Sequence, residues 1–324
     1  MTTITPAAVT PLQSPFNTSP SYSGTFIPTI WSNKLNVKFY ATTVFGEIAN
    51  TDYEGDIKGL GDKVIINNVP SITINDYTIG QNLNYEVPAP NKVELQIDQA
   101  KYFGVNVSDV LEYQSQPKLM DMFTNDASKQ MAINIDTAIL KGTFSAGSSA
   151  NKGSTAGVKS GSYSLGVDNT PITLSSANVV GLVTALASVL DEQNVPDTDR
   201  FLVITPYMRN VLMASPLAQA YVTGDSQSIL RNGKIGSIDR FTIYVSNLLP
   251  TAAAGQDFSG GTQGGAAKRT AIMAGHKSAI TFASQIAKVE SLQNPNDFGT
   301  LVRGLNVYGY SVIKPEALAM ALVV

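Results

Sequence analysis

The sequence feature that most constrains the fold is a long helical pattern in the first half of the chain. Apolar residues recur there at steps of three and four, a spacing that keeps side chains on one face of an α-helix. They are Met120, Phe123, Ala127, Met131, Ile135 and Ala138. Pro117 suits a first helical turn, and Gly142 suits a helix end. The pattern predicts a helix over about 117–140, roughly 36 Å in length, which is long for a globular domain.

The segment before this helix has the pattern of β-strands. Runs at 63–69, 71–75 and 92–98 alternate or cluster β-branched residues between glycines and prolines. In the run 92–98 apolar and polar residues alternate, which predicts a strand with one wet face. Together the runs indicate a long hairpin. Because a hairpin alone is marginal in water, this one needs something to lie against.

The second half of the chain mixes helices and strands. The predicted elements are a helix over about 177–193 capped by Ser175 or Ser176, a buried strand at 201–205, a helix over 206–214 and a strand at 241–245. Strand-like segments follow at 270–274, 278–290 and 301–318. These last segments could return to the first β-rich block.

Other segments carry little periodicity. Residues 1–30 are rich in Pro, Ser and Thr and predict an extended arm, either docked on a neighbouring subunit or frayed. A short helix is predicted to begin near Pro28, and Ser108 is predicted to cap another short helical segment. Residues 143–170 are rich in Gly, Ser, Ala and Asn and are predicted to be a flexible loop, with short strands as the alternative; residues 251–269 are rich in glycine and are predicted to be mobile.

The composition is low in charge. Charged residues make up only 15% of the chain, where roughly a quarter is usual. Such a surface suits a subunit that neighbours cover, although a monomer rich in Ser, Thr, Asn and Gly is also compatible with it. The formal net charge is −3 and no segment is strongly basic, which argues against tight, sequence-specific binding to nucleic acid.

The sequence also bears on compartment and membrane contact. It has no cysteine, which excludes disulfides, thiolate metal sites and cysteine nucleophiles and fits folding in a reducing cytosol. The N-terminus lacks a basic region followed by an apolar run, so no signal peptide is predicted. The longest apolar stretch, Ala177–Leu190, is too short and too interrupted to span a bilayer.

A search for catalytic motifs leaves no candidate. His276 is the only histidine, and without a partner it is predicted to be structural. Residues 153–160 and 260–265 lack the spacing of phosphate-binding and dinucleotide-binding loops. The acidic cluster around Gly55 lacks the distal Glu of a calcium loop and is predicted to be a solvated turn; its members are Asp52, Glu54 and Asp56. We therefore predict no catalytic, cofactor-binding or metal-binding residue, no cofactor and no enzymatic activity.

Several segments, taken in order, carry a resemblance to a known family. Residues 26–70 contain a Pro-x-x-Trp, then Asp-Tyr-Glu, then Gly-Asp before the first hairpin strand. The segments that follow with similar features lie at 95–120, 127–140, 233–250 and 307–320. Together they resemble the major capsid proteins of tailed bacteriophages, whose fold was first seen in phage Hong Kong 97. The resemblance covers about residues 25 to 320.

The resemblance implies an α+β chain of the Hong Kong 97 type in four parts. They are an N-terminal arm (1–49), an extended β-hairpin loop (50–95), a peripheral domain (96–170 and 271–324) with a spine helix over about 117–140, and an axial α/β domain (171–270). In this family the extended loop lies over the adjacent subunit, which would supply the support that the hairpin needs. Lys58 and Lys63 lie where some members form a crosslink, but no catalyst or acceptor is identifiable, so no crosslink is predicted.

The resemblance also implies a function. The chain is expected to self-assemble into pentamers and hexamers of an icosahedral phage head that encloses double-stranded DNA. Expected partners are scaffolding, portal and decoration proteins, with non-specific DNA contact at most and no membrane. Assembly is expected in the host bacterial cytoplasm, and the mature location is the virion. The nearest alternative is an encapsulin-like compartment shell; a surface adhesin or fibre subunit, and last an enzyme, are the rivals of other classes.

Overall fold

The computed structural model of the chain describes residues 41, 43–52, 63–68, 72–82, 85–88, 91–108, 119–215, 237–256, 258, 268–295 and 298–324. All of them belong to one unit, Val37–Val324. Several predictions lie outside the described residues: most of the arm, the helix near Pro28, the short helix after Ser108 and Lys58.

Within the described residues the chain forms four α-helices and eleven β-strands. The helices are α1 (Phe45–Ile48), α2 (Leu119–Ala146), α3 (Val179–Glu192) and α4 (Pro206–Met213). The strands are β1 (Lys63–Asn68), β2 (Asn91–Gln96), β3 (Gln99–Ser108), β4 (Arg200–Ile204), β5 (Ser237–Ile238), β6 (Phe241–Val245), β7 (Thr251–Ala252), β8 (Arg269–His276), β9 (Ile280–Gln293), β10 (Gly299–Val312) and β11 (Leu318–Val323). The predicted α+β class is confirmed.

The strands form three sheets. The first is the pair β1-β2, the second has the order β3-β10-β9, and the third has the order β11-β8-β4-β6-β5 with β7 beside β8. In the third sheet β4 runs parallel to β6 and antiparallel to β8. The mixture reflects chain order, because β4 and β6 are separated by α4 and a long connection, which is what parallel neighbours require.

The long helix α2 runs further than predicted. It continues through Gly142 to Ala146, so the predicted end near 142 is wrong. The physical reason is packing, because a Cβ at position 142 would overlap the Tyr310 hydroxyl and lie 2.7 Å from the Tyr310 Cε2 and Cζ atoms. Gly142 therefore serves close contact with β10 and not helix termination, and the Tyr310 hydroxyl donates to the Ala138 carbonyl at 3.2 Å.

Only the second half of α2 is buried in the single chain. Ile135, Ile139 and Leu140 are buried there. Of the predicted apolar face, Ile135 alone is buried among the side chains that the structure describes, and Phe123 is 42% exposed. The first half of the helix therefore carries apolar side chains that the described part of the chain does not cover.

The predicted hairpin is present at its root. β1 pairs with β2 antiparallel, with Lys63 opposite Gln96 and Asn68 opposite Asn91. Leu95 and Ile97 are buried, while the polar residues between and beside them are exposed, so the predicted wet face is confirmed. The strand predicted at 71–75 is wrong over its described part, because residues 72–80 pair with no strand among the described residues.

The last strands return to the first β-rich block, as predicted. β10 pairs with β3 from Gly299 opposite Ser108 to Tyr308 opposite Gln99, and on its other edge it pairs with β9. Ser108 thus ends a strand, and its predicted role as a helix cap is not seen in the described residues. The sheet β3-β10-β9 lies against α2.

The third sheet and the helices beside it form most of the buried core. β4 is buried throughout, which confirms the predicted strand at 201–205 within one residue. Helix α3 begins at Val179 and its N-cap is Asn178, so the predicted cap by Ser175 or Ser176 is wrong. The Asn178 Oδ1 instead accepts from the Ser175 amide at 2.8 Å, which closes the turn before the helix. Helix α4 is capped by Thr205, whose hydroxyl accepts from the Met208 amide at 3.1 Å.

The glycine-rich segment after α2 is pinned, although it was predicted to be a flexible loop. Ala156 and Leu165 are fully buried. The Leu322 amide donates to the Leu165 carbonyl and the Ile172 amide donates to the Leu322 carbonyl, both at 2.8 Å. The small residues of this segment allow its backbone to run close beside β11. Its sequence needs no helix or strand periodicity, because its backbone hydrogen bonds are made to β11.

Candidate assembly surfaces

His276 has a local structural role. Its Nδ1 accepts from the Ser278 amide at 3.1 Å and lies 2.8 Å from the Ser278 hydroxyl. The imidazole therefore caps the one-turn 3₁₀ helix Lys277–Ala279. Burial lowers the pKa of His276 below its ordinary value, and the Lys314 and Arg200 charges lower it further. The ring nitrogen is occupied by its own chain, and this geometry agrees with the structural role predicted for the residue.

Of the other motifs weighed in the sequence, Glu54, Asp56 and residues 260–265 lie outside the described residues, and the segment 153–160 forms no ligand site within them. The amides of Lys159 and Ser160, in the segment that was compared with phosphate-binding loops, donate to the Glu192 carboxylate at 2.8 and 3.1 Å. These hydrogen bonds, led by one from the Ser160 side chain, lower the pKa of Glu192. In the part of the chain that the structure describes, no group of three His, Cys, Asp or Glu side chains could hold a metal ion. Nor is any described helix long and apolar enough to cross a membrane.

The segment 72–87 presents a row of uncovered apolar side chains, which we call the loop surface. Its members are Ile72, Ile74, Tyr77, Ile79, Tyr85 and Val87. Ile79 is 98% exposed and Val87 is 92% exposed. The two sides of the segment are linked by a hydrogen bond from the Thr73 amide to the Glu86 carboxylate at 3.1 Å. Exposed apolar groups in such density mark an interaction site, since covering one isoleucine is worth about 1.5–3 kcal/mol.

A second apolar feature is a groove between the first half of α2 and the sheet β3-β10-β9. Its volume is about 350 Å³, and the apolar residues along it include Phe45, Phe103, Met131, Ala132, Ile135, Phe282 and Val289. The Phe103 ring lies against Gly304, where a Cβ would sit 2.6 Å from the ring Cζ. Phe45 and Phe282 pack with ring centroids 5.1 Å apart. The groove is therefore lined by aromatic and aliphatic side chains on a hydrogen-bonded sheet.

The opposite face of the same sheet is also incompletely covered. Tyr102 is 83% exposed and Leu292 is 43% exposed. Between them Arg303 and Glu290 form an ion pair at 2.7 Å, and Lys288 pairs with the same carboxylate. The hydrogen bonds from Lys288 and Arg303 lower the pKa of Glu290. This face combines apolar and paired charged groups, which is the composition of an interface rim.

The segment 44–50, which leads toward the loop surface, is fixed at both ends; we call it the junction. At one end the Val44 amide donates to the buried Asp136 carboxylate of α2 at 2.9 Å. At the other end the Asn50 amide donates to the Ile280 carbonyl at 2.8 Å, and the Phe282 amide donates to the Asn50 carbonyl at 2.9 Å. The junction therefore couples the long helix to the start of β9.

Sequence reasoning named no site residue, and it missed these surfaces for different reasons. The groove depends on β10 lying between β3 and β9, which is a long-range pairing. The loop surface had a local signal, because Ile72 and Ile74 alternate with Thr73 and Asn75 in a run that pairs with no strand among the described residues. Such a run is expected to be covered by something outside the chain.

Comparison with known proteins gives the context of these surfaces. A family model described as phage capsid protein matches residues 92–321. The chain belongs to the phage capsid protein family. As a capsid protein it has a structural role, and its place is the shell of the virion, which many copies build together. No curated protein matches the capsid chain in sequence.

Solved structures agree with the family. A structure from Mycobacterium phage Che8 is similar to the capsid chain with a TM-score of 0.71 and 26% identity, covering 92% of this chain and 97% of that one. The capsid of the cyanophage P-SCSP1u has a TM-score of 0.64 and 17% identity, with 95% and 99% covered. The mature capsid of bacteriophage PhiM1 has a TM-score of 0.60 and 16% identity, with 91% of each chain covered. The last two comparisons show a shared fold.

Proposed function

We propose that the chain is the major capsid protein of a tailed bacteriophage, with a fold of the Hong Kong 97 type. Copies assemble into pentamers and hexamers of an icosahedral head around double-stranded DNA. The observation that carries the proposal is the loop surface, where Ile74, Ile79 and Val87 are each 89% exposed or more. An uncovered row of this kind in a capsid chain calls for a neighbouring copy that covers it.

The proposed division of the chain has four parts, two of which share the third sheet, because β8 and β11 pair beside β4. Residues 1–49 form the arm, and 50–95 form the extended loop, whose root is the pair β1-β2. Residues 96–170 and 271–324 form the peripheral domain, with α2 as the spine helix beside β3, β9 and β10. Residues 171–270 form the axial domain, with α3, α4, β4 and β6.

The loop surface is proposed to lie on the groove of an adjacent copy. The two surfaces complement one another, because one is a row of projecting isoleucine, tyrosine and valine side chains and the other is an aromatic and aliphatic depression of about 350 Å³. Apolar burial then supplies the affinity of the contact.

Repetition supplies the stability of the shell. Each copy gives one loop and receives one, so every subunit is held by several neighbours and each weak contact is strengthened by the others. Scaffolding, portal and decoration proteins are proposed partners, and assembly is proposed to take place in the host cytoplasm. With a net charge of −3, contact with the packaged DNA is proposed to be non-specific.

Substitution of the loop surface tests this function. The triple change Ile72→Ser, Ile74→Ser and Ile79→Ser is expected to leave a folded, soluble chain, since all three side chains are exposed. Closed shells should be lost, because three anchors of the contact are removed. Negative-stain electron microscopy and sedimentation velocity measure the result. The matched control is Thr73→Ser with Asn75→Ser on the same segment, which is expected to assemble normally.

Deletion of residues 60–90 is a stronger form of the same test and should also give soluble protein without closed shells. Normal shells from either the triple variant or the deletion would contradict the proposed role of the loop. Wild-type particles that hold protein cargo and no DNA would instead favour an encapsulin-like compartment.

A further inference from the structure

Asp136 is a carboxylic acid in an unusual place. It lies in the buried half of α2, and its side chain is fully buried. Its Oδ2 accepts from the Val44 amide at 2.9 Å. Its Oδ1 is buried and has no hydrogen-bond partner among the described residues. Burying a charged carboxylate costs free energy, and more so when one of its oxygens has no hydrogen-bond donor. The stability of the structure around Asp136 therefore depends on whether the carboxyl is protonated.

The partner of Asp136 is the start of the junction. Val44 precedes α1, and the nearby Phe45 amide also lowers the pKa of the Asp136 carboxyl. The far end of the junction is held by backbone hydrogen bonds between Asn50 and the start of β9. Of these two anchors, the backbone anchor does not titrate and the Asp136 anchor does.

The charge state of Asp136 is set by its surroundings. Burial raises its pKa to about 6, against the hydrogen bonds from Val44 and Phe45, which lower it. The described titratable groups on α2 and on the elements that pack against it are Glu47 on α1, Lys101 and Tyr102 on β3, Arg303, Tyr308 and Tyr310 on β10, and Asp126, Lys129 and Lys141 on α2 itself. Burial raises the pKa of both Tyr308 and Tyr310 above 10, so these two phenols keep their protons at neutral pH.

We propose that Asp136 is a proton-operated latch that holds the junction on the long helix. The direction follows from linkage. When the junction opens, Asp136 reaches water and binds its proton less tightly than in the closed state. Acid therefore favours the closed latch, and at neutral pH the junction is held against a buried negative charge and opens more readily. Any role of the latch in shell assembly rests on the proposed function, whereas the pH dependence of the junction in the free chain does not.

Amide hydrogen exchange of the full-length, unassembled chain tests the latch. After correction for intrinsic exchange, protection of peptides covering 43–50 is expected to fall about tenfold between pH 5 and pH 7.5. Asp136→Asn keeps an acceptor for the Val44 amide and cannot ionise, so its profile should be flat. The matched control is Asp98→Asn, which removes the same charge from an exposed carboxylate and should retain the wild-type slope.

The outcomes are decisive without an assembly measurement. A flat wild-type profile, or a slope that persists in Asp136→Asn, would overturn the proposal. The wild-type profile decides by itself if the variant does not fold. Burial lowers the pKa of His276, so its own contribution runs in the opposite direction, with protection lost in acid. Exchange on free chains reports the latch even where shells fail to form, so its failure is distinguishable from failure of the proposed function.

Discussion

At the scale of the residue, Gly142 shows how one position can be misinterpreted from sequence and still be decisive in the structure. It lies inside α2 where the Tyr310 ring crosses the helix. Gly142→Ala is expected to destabilise the chain by about 1–3 kcal/mol, because the new methyl group overlaps a side chain in a packed core. Chemical denaturation of the unassembled chain measures the change.

Gly181 provides the matched control for this prediction. It is also inside a helix, α3, and a Cβ there would meet nothing within 4 Å. Gly181→Ala should therefore stabilise the chain by about 0.4–1 kcal/mol through the unfolded state. If both alanine variants changed stability in the same direction, the packing explanation of Gly142 would be wrong.

The same residue explains one limit of sequence-based prediction. A glycine after a periodic run is typical of a helix end, and nothing local distinguishes that use from a close contact with Tyr310, which is distant in sequence. The N-cap of α3 was mispredicted for a similar reason. Ser175, Ser176 and Asn178 are all good capping residues, and only the turn closed by the Asn178 side chain selects among them.

At the scale of the element, the patterns that succeeded were those that a single segment carries. The run 92–98, the buried strand β4 and the strand β6 were predictable because their periodicity and burial are local. The exposed first half of α2 was not, because apolar spacing indicates that a face is covered without saying by which chain. The groove beside that half is where the element-scale account is most open to test.

Val289 lies in the groove and is 60% exposed in the single chain. Val289→Asp is expected to change the stability of the free chain by no more than about 1 kcal/mol, since the side chain is largely in water. Assembly should fail, because a loop docked there would bury an unpaired charge. Shell yield in sedimentation velocity measures this outcome.

Val158 offers the comparison for that experiment. It is 54% exposed and lies in the pinned segment after α2, away from the residues that line the groove. Val158→Asp should assemble as the wild type does. Equal loss of shells in both variants would indicate a general effect of added charge, and normal assembly of Val289→Asp would remove the groove from the account.

At the scale of the whole molecule, the low charge of the sequence and the uncovered apolar surface of the single chain both indicate a chain that is buried against other copies. Only 15% of residues are charged, and the loop surface, the groove and the opposite sheet face each leave apolar groups in water. In the shell that we propose, each of these surfaces is covered by another copy. Composition alone could not separate this arrangement from a polar monomer; the exposed side chains favour the shell.

The measurement that tests the central claim most directly is the size and shape of the particles formed by the full-length wild-type chain. Size-exclusion chromatography followed by negative-stain electron microscopy provides both. We expect large, uniform, closed shells with icosahedral outlines, built from pentamers and hexamers. A stable monomer at the concentrations where capsid proteins assemble, with no particles on the grid, would contradict the account.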